Sequence, residues 1–282
     1  MTWFIWLVIS IVTTAGSNIF QRVVMREKDS DPYGTNLIFL FGTAVFTGIF
    51  ALWHGFVFPP FATHFWNFLL SALLWGVGSL LLFRAYQTLG SSEIAIISVL
   101  NSVITIVASI FLLGEIFTTQ KAIGTVLIIF SIWLINQTKD MSFFNQGTMY
   151  ALIAAVLWGF AVTNDAFILR SYDGVSYTPV VFLLPGLLFL IYKPSSVRSF
   201  SRLRDSTFSK NMLLLTAFYA VQAVAYYIAL QMSGVSSQIA PIYKSNIILT
   251  VLLAVIFLKE KDKLLFKFLS AMLVTVGVLL IK

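Results

Sequence analysis

Long apolar stretches alternate with short polar punctuation along the whole chain. Ten runs stand out, at residues 3–24, 37–53, 65–85, 94–113, 119–136, 148–169, 176–192, 212–232, 239–258 and 264–281. A helix crossing a bilayer core needs roughly 20 apolar residues, whereas a membrane strand needs about ten with strict alternation. These runs are uniformly apolar, so the pattern predicts an all-α integral membrane protein of ten transmembrane helices. The second, fifth and seventh runs are short for a span. Breakers and charges separate them, among them Asp31-Pro32, Pro59-Pro60, Gly90-Ser91-Ser92, Lys139-Asp140 and Asp173-Gly174. The apolar start carries no basic segment and no small-residue cleavage site, so it reads as the first span rather than a removable signal.

Composition agrees with the pattern. The chain of 282 residues is 59% hydrophobic and only 10% charged, where a soluble domain carries about 25% charged residues. The net charge of +7 sits in gaps between apolar runs, which is the pattern of membrane loops and not of a nucleic-acid groove. Fourteen of the 18 Lys and Arg residues fall in or beside the odd-numbered loops, and Lys121, Arg170 and Lys282 fall on the opposite side. Positive loops stay cytoplasmic, which places both termini outside, in a bacterial-type inner membrane. The chain has no cysteine, so disulfide and thiolate chemistry are excluded.

The chain also matches itself. A shift of 145 residues pairs Ala95 with Ala240, Asn101 with Asn246, Thr105 with Thr250 and Glu115 with Glu260; shifts of 144 and 146 pair Gly90 with Gly234 and Asn18 with Asn164. Helices one to five thus resemble helices six to ten, with halves at 1–140 and 141–282. Five is odd, so the second half enters the membrane from the opposite side. The expected fold is two inverted five-helix repeats in one membrane domain, an organisation that recurs in secondary transporters.

These residues resemble the drug/metabolite transporter superfamily, and within it the EamA family. Gly114-Glu115 and Lys259-Glu260 each close the fourth helix of a half, Trp158-Gly159 lies in helix six, and Leu258 to Lys261 ends helix nine. The resemblance covers nearly the whole chain. It implies a ten-helix exporter or exchanger of small metabolites with a central cavity lined by both halves. It does not name the substrate.

Polar residues inside spans narrow the chemistry. A charge at the bilayer centre costs roughly 2.5–3.5 kcal/mol on insertion scales, so such residues face a cavity or a partner. Lys244 is placed about 7.5 Å into helix nine at 1.5 Å per residue, one turn after Pro241, which breaks the helix. A broken helix beside a cation suits a carboxylate or phosphate; the competing reading has Lys244 snorkel to the surface. Asp165, near the end of helix six, lies at similar depth. It is expected to couple protons, latch a gate, or pair with Lys244. Tyr219, Gln222 and Tyr226 share one face of helix eight. Thr14, Asn18 and Gln21 share a face of helix one, Tyr243, Asn246 and Thr250 a face of helix nine, and Asn101 with Thr105 repeats that face in helix four. The set predicts a substrate cavity built by Lys244, Tyr219, Gln222, Tyr226, Asn246, Asn101 and Asn18. Glu115 and Glu260 read as boundary residues pairing with loop cations such as Lys121 and Lys261, and Arg84 as a partner for Glu93.

No phosphate-binding Gly-x4-Gly-Lys loop is present, and His54 and His64 have no clustered Cys or acidic partner. No enzyme activity, metal or other cofactor is expected. The implied partners are a small-molecule substrate, the bilayer, and a coupling proton or counter-solute, in a monomer or homodimer. Three rivals remain open: an exchanger of sugar phosphates or nucleotide-sugars, which would want more than one cation; a non-transporting membrane subunit or sensor; and an intramembrane enzyme, which product formation from a candidate lipid or metabolite would reveal.

Overall fold

The computed structural model describes residues 2–26, 30–116, 118–136, 145–260 and 264–281. Lys28, Lys139, Asp140, Lys261 and Lys282, and the side chain of Lys121, lie outside the described set. The described elements are all helical. In order they are α1 (Trp3–Met25), α2 (Pro32–His54), α3 (Phe61–Thr88), α4 (Ser91–Ile97), α5 (Leu100–Leu113), α6 (Thr119–Asn136), α7 (Gln146–Ile168) and α8 (Gly174–Tyr192). A 3-10 helix (Pro194–Arg204) leads to α9 (Ser206–Ser233), α10 (Ser236–Tyr243), α11 (Asn246–Phe257) and α12 (Leu264–Ile281).

Among the described residues, eight segments are long and apolar enough to cross a membrane, counting Ser91–Leu113 and Ser236–Phe257 as one each. The apolar parts of α6 and α12, Ala122–Ser131 and Leu264–Gly277, are shorter. The second span is longer than its hydropathy implies because its polar start is capped. Asp31 accepts the backbone N–H groups of Tyr33 and Gly34, and Pro32 follows at the first helical position, where its missing N–H costs nothing. Asp173 and Asp205 cap α8 and α9 in the same way. The acidic residues between apolar runs therefore start helices as well as separating them, each cap contributing about 1 kcal/mol.

The packing joins the two ends of the sequence. Helix α1 packs on α9, α3 on α7, α2 on α8, α6 on α12, α5 on α10 and α4 on α11. Each pairing takes one member from residues 1–140 and one from the rest. Aromatic residues fill the middle, where Phe39 makes edge contacts with Phe83, Phe182 and Tyr219.

Helices four and nine are both broken. In helix nine, the N–H groups of Lys244, Ser245, Ile247 and Ile248 reach back only three residues, a short tightening between α10 and α11. The break falls at Lys244-Ser245, three residues past Pro241, which sits inside α10. Helix four tightens alike at Ser98-Val99, where Val99, Asn101 and Ser102 donate three residues back, with no proline nearby. Proline is thus not the common cause. The expected depth of Lys244 also changes: its helix starts at Ser236, so it lies about 12 Å in at 1.5 Å per residue.

The two broken helices are capped by each other's half. Glu115 accepts from the N–H of Ser236 at 3.1 Å, its hydroxyl at 2.9 Å, and the N–H of Ser237 at 3.1 Å. Glu260 accepts from the N–H of Ser91 at 2.9 Å, and from the N–H and hydroxyl of Ser92 at 3.3 and 2.8 Å. Each glutamate thus binds a helix N-terminus of the other half, while its expected partners, the side chain of Lys121 and Lys261, lie outside the described residues. Lys267 of α12 also lies 3.7 Å from Glu260. Arg84 lies over the ring of Tyr150, and Glu93 accepts the N–H of Gly90.

Candidate functional site

Between the two breaks the helices leave a cavity of about 70 Å³. Its wall takes Thr14, Asn18 and Gln21 from α1, Trp75, Leu82 and Tyr86 from α3, and Ile94, Ala95, Ser98 and Asn101 from broken helix four. The second half supplies Trp158 and Val162, Phe182, then Tyr219, Gln222, Ala223, Tyr226 and Tyr227 from α9, and Tyr243, Lys244 and Asn246 from broken helix nine. All seven residues expected to build a substrate cavity lie on this wall. Asp165 does not.

Among the described residues, Lys244 is the only formal charge on the wall. It is 6% exposed, so it does not snorkel to the surface. Its ammonium lies 5.5 Å from the ring centroid of Tyr243. The break explains how neighbours that would diverge by about 100° on a regular helix both reach the cavity.

One corner is tied by a three-residue knot. Thr14 Oγ1 lies 2.8 Å from Gln222 Oε1 and 2.9 Å from the Tyr243 hydroxyl, and that hydroxyl donates to Gln222 Oε1 at 2.5 Å. The knot joins α1, α9 and α10. Asn18 donates to Thr250 Oγ1 at 3.2 Å, and Asn246 to the carbonyl of Tyr243 at 2.7 Å. Gln21 Oε1 is buried without a hydrogen-bond partner on the same wall. A buried unpaired carbonyl costs about 1–3 kcal/mol, so it stands ready for a donor.

Asp165 is fully buried just behind the wall. Oδ1 accepts from Ser71 at 2.8 Å and from Tyr177 at 2.6 Å; Oδ2 accepts from Trp75 Nε1 and the Tyr227 hydroxyl, each at 2.8 Å. All four partners are neutral. The anticipated pair with Lys244 is not made; the ion pair among the described residues is Lys267 with Glu260. Two of the four donors, Trp75 and Tyr227, are themselves wall residues.

Of the aromatic wall, Tyr219, Tyr226 and Tyr243 were legible in the sequence, and Trp75, Trp158 and Tyr86 were not. Trp75 and Trp158 pack at 5.3 Å, and Tyr226 and Tyr243 at 5.0 Å. Trp158 fits because Gly78 lacks a Cβ, which would lie 2.5 Å from its Nε1. In an apolar run, an aromatic facing a cavity looks like one facing lipid. The signals available were the alignment of Trp75 with Tyr219 at the repeat shift and the small residue opposite Trp158.

The EamA-like transporter family model matches residues 1–137 and again 145–282. The chain belongs to the EamA-like transporter family. It is therefore a multi-pass membrane protein of a transporter family, and its cavity is that of an EamA-like chain. No curated protein matches it. One solved crystal structure of a protein superposes with a TM-score of 0.68 at 14% identity, covering 98% of this chain and 95% of that one. At that identity the likeness speaks for the fold alone.

Proposed function

We propose that this EamA-like chain is a secondary transporter, an exporter or exchanger, of small organic metabolites carrying one net negative charge or a carboxylate. It works by alternating access of two inverted five-helix halves, 1–140 and 141–282, with ten spans once α6 and α12 are counted. Both termini face outside. Lys244 holds the anionic group, while Tyr219, Gln222, Tyr226, Asn246, Asn101 and Asn18 shape the pocket around it. The chain is not an enzyme in this reading.

The observation that carries the reading is Lys244. It is a buried cation on a cavity wall that has no carboxylate among the described residues and that also holds the unpaired amide carbonyl of Gln21 and aromatic surfaces. An intramembrane charge without a protein partner is best explained by a ligand that neutralises it. The inverted arrangement is supported by the helix pairings, which map onto one another when the halves are exchanged, and by the reciprocal glutamate caps. A single cation favours a carboxylate over the doubly charged phosphates of sugar-phosphate exchangers.

The test is a thermal-shift screen of purified protein against a metabolite library, with Lys244→Met in parallel. Binding raises stability by RT ln(1 + [L]/Kd), about 2.7 kcal/mol at a hundredfold excess over Kd. Stabilisation of the wild type but not the variant by carboxylates is the expected result. Equal stabilisation of both by neutral solutes removes Lys244 from the site. No binding at all favours the non-transporting subunit.

A further inference from the structure

Asp165 is a fully buried carboxylate that the cavity alone does not explain. We propose that Asp165 is a proton-binding site coupled to Lys244, so that one proton moves with one anion and no net charge crosses the membrane. This rests on the reading of the cavity as an anion site.

With the cavity empty, Lys244 on its wall and Asp165 behind it carry opposite charges in separate places, neither in an ion pair among the described residues. An anion on Lys244 cancels the cation and leaves the carboxylate uncompensated in low dielectric, where a lone charge is expensive. A proton on Asp165 restores neutrality. Anion and proton therefore each raise the affinity for the other, by the same factor.

The cage around the carboxylate suits both protonation states. Three of its four donors are hydroxyls, which rotate and can accept as well as donate. Ser71 and Tyr177 also lie 3.0 Å apart, with either able to donate. When Oδ1 carries a proton, one of these hydroxyls turns its hydrogen to the other and accepts from the acid. Trp75, which can only donate, stays on Oδ2. The Tyr227 hydroxyl joins Oδ2 to the cavity wall and provides the path for the proton.

The other titratable groups on packed elements are placed elsewhere. Tyr177 and Tyr227 touch the carboxylate. Tyr226, Tyr243 and Lys244 line the cavity, as does Tyr86 of α3. His64 of α3 bonds Ser171, Arg84 stacks on Tyr150, and Glu93 of α4 caps Gly90. Helix α5 carries no titratable side chain.

The experiment needs no identified substrate. Infrared spectra of the purified protein in lipid vesicles are recorded from alkaline to mildly acidic pH for the wild type, Asp165→Asn and Lys244→Met. A carbonyl band of a protonated acid should grow as pH falls and be lost in Asp165→Asn. Removing the cation leaves the same excess charge as loading an anion, so Lys244→Met should bind this proton about tenfold more tightly, a usual size for site coupling. If Asp165→Asn fails to fold, Tyr227→Phe substitutes: losing a donor to Oδ2 must shift the band if it belongs to Asp165. Absence of an Asp165-dependent band makes the carboxylate a permanent brace for Trp75 and Tyr227 and overturns the proposal. A band identical in wild type and Lys244→Met also overturns it. A coupled band with no anion binding in the screen would instead sink the anion-transport reading.

Discussion

Glu115 closes the first turn of α10 by accepting the backbone N–H of Ser236 at 3.1 Å. The two residues lie 121 positions apart, in different halves. The same bond, shifted by the repeat, is Glu260 on Ser91. A carboxylate at a helix N-terminus satisfies orphan N–H groups and meets the positive end of the helix dipole. Each half thus fastens the broken helix of the other, at opposite ends of the bundle.

Loosening one cap should open one end. The chain has no cysteine, so Ser98→Cys, on the cavity wall, introduces a single thiol reporter into an otherwise native sequence. In that background, Glu115→Gln weakens its cap by about 1 kcal/mol and should raise labelling of the thiol by an impermeant reagent from one side of the membrane. Glu260→Gln should raise it from the other side. Increases from the same side would refute the two-ended arrangement.

The Thr14–Gln222–Tyr243 knot predicts non-additivity. Thr14→Val and Tyr243→Phe should each lower stability by about 1 kcal/mol, and the double variant should fall short of the sum by at least about 0.5 kcal/mol. Thermal unfolding in one detergent measures this. Additive losses would mean that the three side chains do not act as a unit.

Helix approach at Gly159 is tighter than at Gly234. A Cβ at Gly159 would sit 2.5 Å from Ile104 Cβ and 2.9 Å from the carbonyl of Asn101, a cavity residue. Gly159→Ala should cost about 1–3 kcal/mol by overpacking and weaken ligand binding. Gly234→Ala meets no atom within 4 Å but has φ +69°, so it should cost about 1 kcal/mol with binding unchanged. The unfolding midpoints and ligand-induced shifts of the two variants decide.

Polar residues announced themselves in the sequence because they interrupt apolar runs. Tyr219, Gln222 and Tyr226 fall at helical spacing on one face, and all three reach the cavity. The self-match revealed related halves through Asn101 with Asn246 and Glu115 with Glu260. The same shift aligns Ser91-Ser92 with Ser236-Ser237, yet these look like ordinary turn residues, because a serine in a loop carries no mark of a distant carboxylate. The break in helix four had no proline to signal it. Trp75, Trp158 and Tyr86 were invisible as wall residues, since hydropathy does not say which way an aromatic side chain points. Asp165 and Lys244 stand out as buried charges, but their partners depend on which helices meet, and that is tertiary information.

The most direct test is transport itself. Proteoliposomes are preloaded with the carboxylate that most stabilises the wild-type protein, and counterflow of the radiolabelled compound is followed for wild type, Lys244→Arg and Lys244→Met, each checked for folding. The account predicts accumulation by the wild type, partial activity in Lys244→Arg, which keeps the charge in a different shape, and none in folded Lys244→Met. Counterflow by Lys244→Met at the wild-type rate would contradict it.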